Sequence, residues 1–367
     1  MTTKKRITFF LDALHGGGAE KAVVNLLRGL AERDEFVLDL VLATLEGPYI
    51  DSIPKEVRIV NLDTGRVVTA ILPLMNYLKQ YRPWALIGNM GHVNVGATIA
   101  KELARVDTSL ILVEQNTLSA NKSHLARAKV VPFFMRWLYP RADAVAGVSA
   151  GVARDLENQL GLGVETVKVL NNPVVNQDLI VKRQAALDHP WFAENSPPVF
   201  LAVGRLNPQK DFPNLLNAFA RVRQQKMARL IILGEGQERQ LLEAIIESLG
   251  ISEDVSLPGF VKNPYAYMHR ASCLVLSSRE EGLPTVLIES MACGCPVVAT
   301  NCPSGPDEIL EQGKYGSLVP IEDSEALSKA MLETLENPLE KEILVERANK
   351  YSTDKVVGTY LSLLNSL

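Results

Sequence analysis

Nowhere in the 367 residues is there an Asp-x-Asp, so a divalent cation bridging paired aspartates has no obvious ligands. A run of about 20 uninterrupted apolar residues is also missing, which leaves no candidate for a helical membrane span. Cysteine is scarce: Cys273, Cys293, Cys295 and Cys302 are the only four. The Cys-x-Cys among them has no nearby histidine cluster and lacks zinc spacing, so buried free thiols in a reducing compartment are expected. Aromatic residues make up 6% against 47% hydrophobic, which predicts a core packed with aliphatic side chains. Net charge is only −4, and no half is strongly basic, which argues against a general nucleic-acid binder. The first 172 residues carry 20 Lys and Arg against 17 Asp and Glu, the remainder 18 against 25. The opening "MTTKKRITFFLDAL" starts basic, but Asp12 and the following glycines interrupt its apolar run. It reads as a first strand rather than a signal peptide, and a cytoplasmic protein is expected.

What is present is alternation. "RITFFLD", "FVLDLVLA", "VRIVNL", "WALIGN", "SLILVE" and "DAVAGV" read as strands, with helical three-to-four spacing in the segments between several of them. Residues 173–196 are rich in Asn and Pro and poor in periodicity, and are expected to be a linker. The alternation then restarts with "VFLAVG", "RLIILG", "VSLPG", "CLVLSS" and "PVVAT". The expected fold is α/β, with two Rossmann-like domains, 1–172 and 197–350, facing across a central cleft. Residues 351–367 are left as a C-terminal helix.

In such sheets ligands bind beyond the carboxyl ends of the strands, so the loops there hold the candidate site. After the first strand, "LHGGGAEKA" offers Gly17 and Gly18 for close backbone approach and a helix start for an anion, though without the dinucleotide Gly-x-Gly-x-x-Gly spacing. "VGRLNPQKDF" sets Arg205 and Lys210 before a helix, two cations that suit a diphosphate. In "LGEGQE", Gly234, Glu235 and Gly236 fit either a base or ribose edge or a plain turn. The backbone of Phe260 and Val261 in "LPGFVKN" could pair with a base. "REEGLPTVLIE" places Glu281 in a loop and Glu289 about one turn inside the next helix. Gly282 and Pro284 shape the turn between them, and the N–H groups from Leu283 to Thr285 are expected to stay free for a phosphate or sugar oxygen.

Together "GGGAEK", "VGRLNPQKDF", "GEG", "EGLPTVLIE" and "GPDEIL" resemble family four of the glycosyltransferases, retaining enzymes of the GT-B fold, over nearly the whole chain. The resemblance implies an acceptor-binding first domain and a second domain that binds a nucleotide sugar as co-substrate, with no cofactor. It assigns Arg205 and Lys210 to the pyrophosphate, Glu281 and the 282–285 backbone to the transferred sugar, and Glu289 to the ribose. Arg205, Lys210 and Glu281 are thereby the catalytic candidates, and Gly17 and Gly18 approach the donor. It also implies that the last helix packs back on the first domain. Many relatives carry a histidine after the fifth strand. Here that loop is "EQNTLSANKSH", which leaves Glu114, Gln115, Asn116 and His124 as acceptor-side candidates.

From Thr117 to Arg141 there is no acidic residue. Lys122, Arg127, Lys129, Arg136 and Arg141 interleave with Phe133, Phe134, Trp137, Leu138 and Tyr139, broken at Pro132. Residues 122–141 therefore read as a segment able to lie on an anionic membrane and bring the enzyme to a lipid-linked acceptor, or as a core helix with a solvated basic face. The function expected by resemblance is transfer of a hexose or N-acetylhexosamine from a UDP-sugar in cell-surface polysaccharide or glycolipid assembly. A non-catalytic sugar-nucleotide or glycan binder, or a sugar-nucleotide epimerase of similar shape, are the alternatives.

Overall fold

The computed structural model describes residues 4–119 and 126–367. They divide into two compact units, residues 1–174 with 353–367, and residues 175–352.

Unit 1 alternates strand and helix. Its elements are β1 (Lys5–Leu11), α1 (Gly18–Ala31), β2 (Phe36–Leu42), β3 (Val57–Asn61), α2 (Val67–Tyr81), β4 (Ala85–Asn89), α3 (Gly91–Ala104), β5 (Ser109–Glu114), α4 (Ala126–Leu138), β6 (Ala144–Gly147), α5 (Ala150–Leu160) and β7 (Lys168–Val169). The seven strands are parallel in the order β3-β2-β1-β4-β5-β6-β7. Helices cover both faces, so strands such as β4 and β5 are apolar runs rather than alternating ones. Local signals set several ends. Ser149 caps α5 by accepting from the Val152 amide at 3.2 Å, and Gly161 closes it at φ +69.

Unit 2 repeats the plan with α6 (Gln177–Lys182), β8 (Val199–Val203), α7 (Phe212–Arg223), β9 (Arg229–Leu233), α8 (Arg239–Ser248), β10 (Val255–Gly259), α9 (Pro264–Arg270), β11 (Cys273–Leu276), α10 (Thr285–Ala292), β12 (Val297–Thr300), α11 (Pro306–Leu310), β13 (Ser317–Val319), α12 (Ser324–Glu336) and α13 (Lys341–Ala348). Its six parallel strands run β10-β9-β8-β11-β12-β13. Phe200, Leu216, Phe219, Leu230, Val275 and Met331 are among the residues of its core, which is largely aliphatic. All four cysteines are buried and free.

Two boundaries differ from the sequence expectation. Residues 175–196, read there as a linker, belong to unit 2. Val175 bridges Ser352, Asn176 caps α6, Asn263 donates to the Lys182 carbonyl at 2.9 Å and Arg229 lies over the Trp191 ring. The Asn and Pro content that breaks the periodicity builds caps and a 3-10 turn at Pro190–Phe192, not a free tether. Residues 173–174 go with unit 1, as does α14 (Thr353–Ser366), which packs on α1.

Gly29 makes the α1–α14 approach close: a Cβ there would sit 2.4 Å from Thr353 Cγ2 and 2.9 Å from Val357 Cγ2. Gly29→Val is expected to destabilise unit 1 by about 1–3 kcal/mol, the range for an overpacked core. The fall in urea midpoint at unchanged slope measures it; an unchanged midpoint contradicts the packing.

Candidate functional site

In unit 2 the strand order reverses between β8 and β11, and the site candidates lie on the two loops that leave those strands. After β8 the chain runs through Gly204 and exposed Arg205 into a 3-10 turn, Pro208–Lys210, which Asn207 caps by accepting from the Lys210 amide. Asp211 then takes a left-handed conformation, φ +48, to start α7. That turn folds Lys210 back along Gly204, where a Cβ would lie 3.2 Å from the lysine Cε, and delivers its ammonium 2.5 Å from Glu281 Oε1. Ser278 Oγ donates to the same oxygen at 2.7 Å.

The two loops are joined along their length. Arg279 N–H donates to the Gln209 carbonyl and the Gln209 amide to the Glu280 carbonyl, both at 2.9 Å. Ser277 Oγ donates to the Lys210 carbonyl at 2.7 Å, and the Arg279 guanidinium pairs with Asp211. Below them, Ser304 donates to the Gly282 carbonyl at 2.9 Å. Gly305, at φ +94, has no Cβ to meet Pro284 Cδ, which would stand 2.3 Å away. This explains the "GPDEIL" segment: its glycine lets the Gly-Leu-Pro turn settle before α10.

Among the described residues, no acceptor engages the amides of Leu283, Thr285 or Val286. They carry the positive end of α10. Pro284 occupies the cap position of this helix. Glu289 lies one turn inside α10, buried, with the Tyr265 hydroxyl 3.4 Å from Oε1. Arg205 holds no ion pair among the described residues. Glu281 and Lys210, by contrast, are buried against each other, 9% and 17% exposed in their side chains.

The other donor-side candidates divide. Phe260 is exposed and Val261 half-buried at the end of β10. At Gly234 and Gly236 the close approach is made by the chain's own backbone: a Cβ at the first would lie 1.9 Å from the Gly204 carbonyl, and at the second 2.2 Å from that of Leu206. These glycines seat the Arg205 loop. Glu235 is exposed and bonded to Arg239 Nε at 2.8 Å, a bond that lowers its carboxyl pKa. Buried Cys302 has its thiol pushed up to about 12 by burial and by the Glu281 charge, so it stays protonated.

In unit 1 Gly17 precedes α1 with the Glu20 carboxylate folded over it, 2.5 Å from a Cβ position, while Gly18 is open. Of the acceptor-side candidates, His124 lies outside the described residues. Asn116 is exposed. Gln115 is buried and engaged on both sides, donating to Asn89 Oδ1 at 3.2 Å and accepting from Asn172 Nδ2 at 2.9 Å. Glu114 points into the fold, where it accepts from the Tyr139 hydroxyl, from Asn94 Nδ2 at 2.7 Å and from the Gly91 amide. Burial pushes its carboxyl up to about 7, against these hydrogen bonds, which favour the charged form.

The structure also brings together a pair that sequence reasoning missed. His92 Nε2 lies 3.0 Å from Asp12 Oδ2, two residues 80 apart in the chain with no motif between them. Burial raises the Asp12 pKa, but its hydrogen bonds with His92 and the Ala13 amide outweigh it, and the carboxyl is lowered.

The family described as "Glycosyl transferase 4-like domain" matches residues 17–173, and "Glycosyl transferases group 1" matches residues 185–351. A solved lipopolysaccharide outer core galactosyltransferase WaaB shares 20% identity at TM-score 0.75, covering 98% of this chain and 99% of that one. Anabaena HepE, solved in complex with UDP and glucose, shares 20% at TM-score 0.77, covering 99% and 100%. These likenesses give the two parallel-sheet α/β units the GT-B fold.

A Campylobacter jejuni protein, N-acetylgalactosamine-N,N'-diacetylbacillosaminyl-diphospho-undecaprenol 4-alpha-N-acetylgalactosaminyltransferase, is 30% identical over 349 residues, 91% of each chain. The chain belongs to family four of the glycosyltransferases.

Glu114 generates a pH test. Its folded pKa is raised, so its contribution to stability is complete below the ordinary carboxyl range of about 4.3 and is lost as pH rises through about 7. Glu114→Gln keeps an acceptor for Tyr139 and Asn94 without the charge. Its melting temperature relative to the parent chain should rise between pH 5 and pH 8. A constant difference across that range contradicts the assignment.

Proposed function

We propose that the chain is a retaining glycosyltransferase that moves a hexose or N-acetylhexosamine from a UDP-sugar to a lipid-linked or glycan acceptor in cell-surface polysaccharide or glycolipid assembly. The observation that carries the reading is the Lys210–Glu281 pair, fixed at 2.5 Å where the loops after β8 and β11 meet, with Arg205 on the same loop and the α10 amides behind it. Two side-chain cations and a helix start supply positive charge for a diphosphate, and Glu281 keeps a second carboxylate oxygen for a sugar hydroxyl. The Campylobacter relative, named for transfer to a diphospho-undecaprenol-linked sugar, supports the class of acceptor, and the HepE complex supports UDP and a hexose on the donor side.

In this mechanism the bond from the anomeric carbon to the donor's phosphate oxygen breaks, and the acceptor oxygen bonds to that carbon on the same face. The acceptor's proton passes to the departing phosphate. Negative charge grows on the diphosphate, where Arg205, Lys210 and the amides stabilise it; one such partner typically contributes about 3–4 kcal/mol. The metal-independent reading rests on these cations and on the lack of an Asp-x-Asp.

The membrane part of the reading rests on α4. Val130, Phe133, Phe134 and Trp137 are exposed at i, i+3, i+4 and i+7, while Met135 and Leu138 face inward, and the helix continues through Pro132. Of the basic residues, Arg136 is bonded to the Gln159 carbonyl and Arg141 faces Glu102; Lys122 and the side chains of Arg127 and Lys129 lie outside the described residues. No described helix is long and apolar enough to cross a membrane. The exposed apolar face of α4 and the lipid-linked class of acceptor support a proposed location at the inner, cytoplasmic face of the cell membrane.

The test is release of nucleoside diphosphate from a panel of nucleotide sugars, with EDTA, in the presence and absence of anionic vesicles carrying lipid extract. One UDP-sugar should turn over, EDTA should not matter, and vesicles should raise the rate. Lys210→Ala and Glu281→Ala should each lower kcat by about 10²–10³. Tight donor binding without turnover under every condition would favour a non-catalytic binder, and no binding of any donor would overturn the site.

A further inference from the structure

The strand order of unit 1 reverses between β1 and β4, the place where open α/β sheets receive ligands. Asp12 is the first residue beyond β1, and His92 is the second residue of α3, beyond β4. Their 3.0 Å contact bridges that reversal, as Lys210 and Glu281 bridge the corresponding one between β8 and β11. Both side chains stay accessible, 25% exposed for His92 and 27% for Asp12.

The pair is held from behind. Asp12 Oδ1 accepts the Ala13 amide at 3.0 Å, which leaves Oδ2 for the imidazole. Met90, just before α3, has φ +82 and ψ 140, a conformation that L residues rarely adopt. Such strain persists where the surroundings over-determine it. Here Glu114 accepts the Gly91 amide and the Asn94 side chain, which anchors the first turn of α3 on both sides of His92. Because ionised Asp12 accepts at Nε2, that nitrogen carries the ring proton of the neutral imidazole, and Nδ1 is an acceptor. Among the described residues Nδ1 has no hydrogen-bond donor. Gln115, the first residue beyond β5, is instead engaged on both sides of its amide by Asn89 and Asn172.

We infer that His92, oriented by Asp12, is the group of unit 1 that accepts a hydrogen bond from a sugar hydroxyl of a bound substrate. The chemistry selects the ligand. An imidazole acceptor beside a carboxylate suits a neutral polyol and disfavours a phosphate. The inference rests on the transferase reading above and names a residue for it. The sugar is either the one on the nucleotide or one on the acceptor, and the experiment separates them.

The chain is labelled with 13C at histidine Cε1, and His92→Gln identifies the His92 signal. UDP, the UDP-sugar that binds, and a glycan acceptor are then titrated in turn, alongside steady-state kinetics of His92→Ala and Asp12→Asn. Movement of the His92 signal with the UDP-sugar but not UDP places the donor's hydroxyl there; movement only with the glycan places the acceptor's. His92→Ala should lower kcat/KM for that same substrate at least tenfold, with UDP affinity and melting temperature unchanged, and Asp12→Asn should lower it in the same direction. Binding or turnover of both substrates with an unmoved His92 signal overturns the inference alone. A loss of UDP affinity in His92→Ala makes the pair structural and overturns it too. Failure of every nucleotide sugar to bind the parent chain would instead bring down the transferase reading.

Discussion

The site of unit 2 depends on one contact, the ion pair between the Lys210 ammonium and the Glu281 carboxylate. The two residues come from loops 71 positions apart, and four further hydrogen-bonded or ionic links draw the loops together around the pair. A buried ion pair is weak support for a fold, because desolvation offsets much of its Coulomb attraction. A hydrophobic pair would hold these loops as well. The retention of two charges there is better explained by a charged ligand, for which Lys210 still has two free donor positions and Glu281 a second oxygen.

The glycines around the pair act by omission. Gly204 leaves room for the lysine stem, Gly234 and Gly236 for the backbone of the Arg205 loop, and Gly305 for Pro284. Each lets chain approach chain, so that polar side chains converge on the strand ends without a gap behind them. The same reversal of strand order occurs in both units, and in both a side-chain pair sits across it.

The fold was legible because its buried parallel strands are short aliphatic runs. The segments read as strands overlap β1 to β6 and β8 to β12, and the helix expected to carry Glu289 about one turn inside it is α10. β7, with two residues, and β13, with three, are sheet-edge strands too short to carry a pattern. Residues 175–196 misled because Asn and Pro signal turns but do not say what a turn packs against. In the site, Arg205, Lys210, Glu281 and Glu289 could be picked out because each is a charge beside an apolar strand or helix. His92 could not, since its meaning comes from Asp12, which only the sheet order brings near. Gln115 and Glu114 looked available in the sequence, and both are engaged by partners, Asn172 and Tyr139, far along the chain.

The central claim is that the Lys210–Glu281 contact presents an ammonium to a diphosphate. Calorimetric titration of UDP into the parent chain, Lys210→Met, Glu281→Gln and the double variant tests it most directly. The account predicts a loss of about ten- to hundredfold in UDP affinity for Lys210→Met, the scale of one charged hydrogen bond. It predicts a smaller loss for Glu281→Gln, and a double variant less affected than the two losses combined. UDP affinity unchanged in Lys210→Met would contradict it.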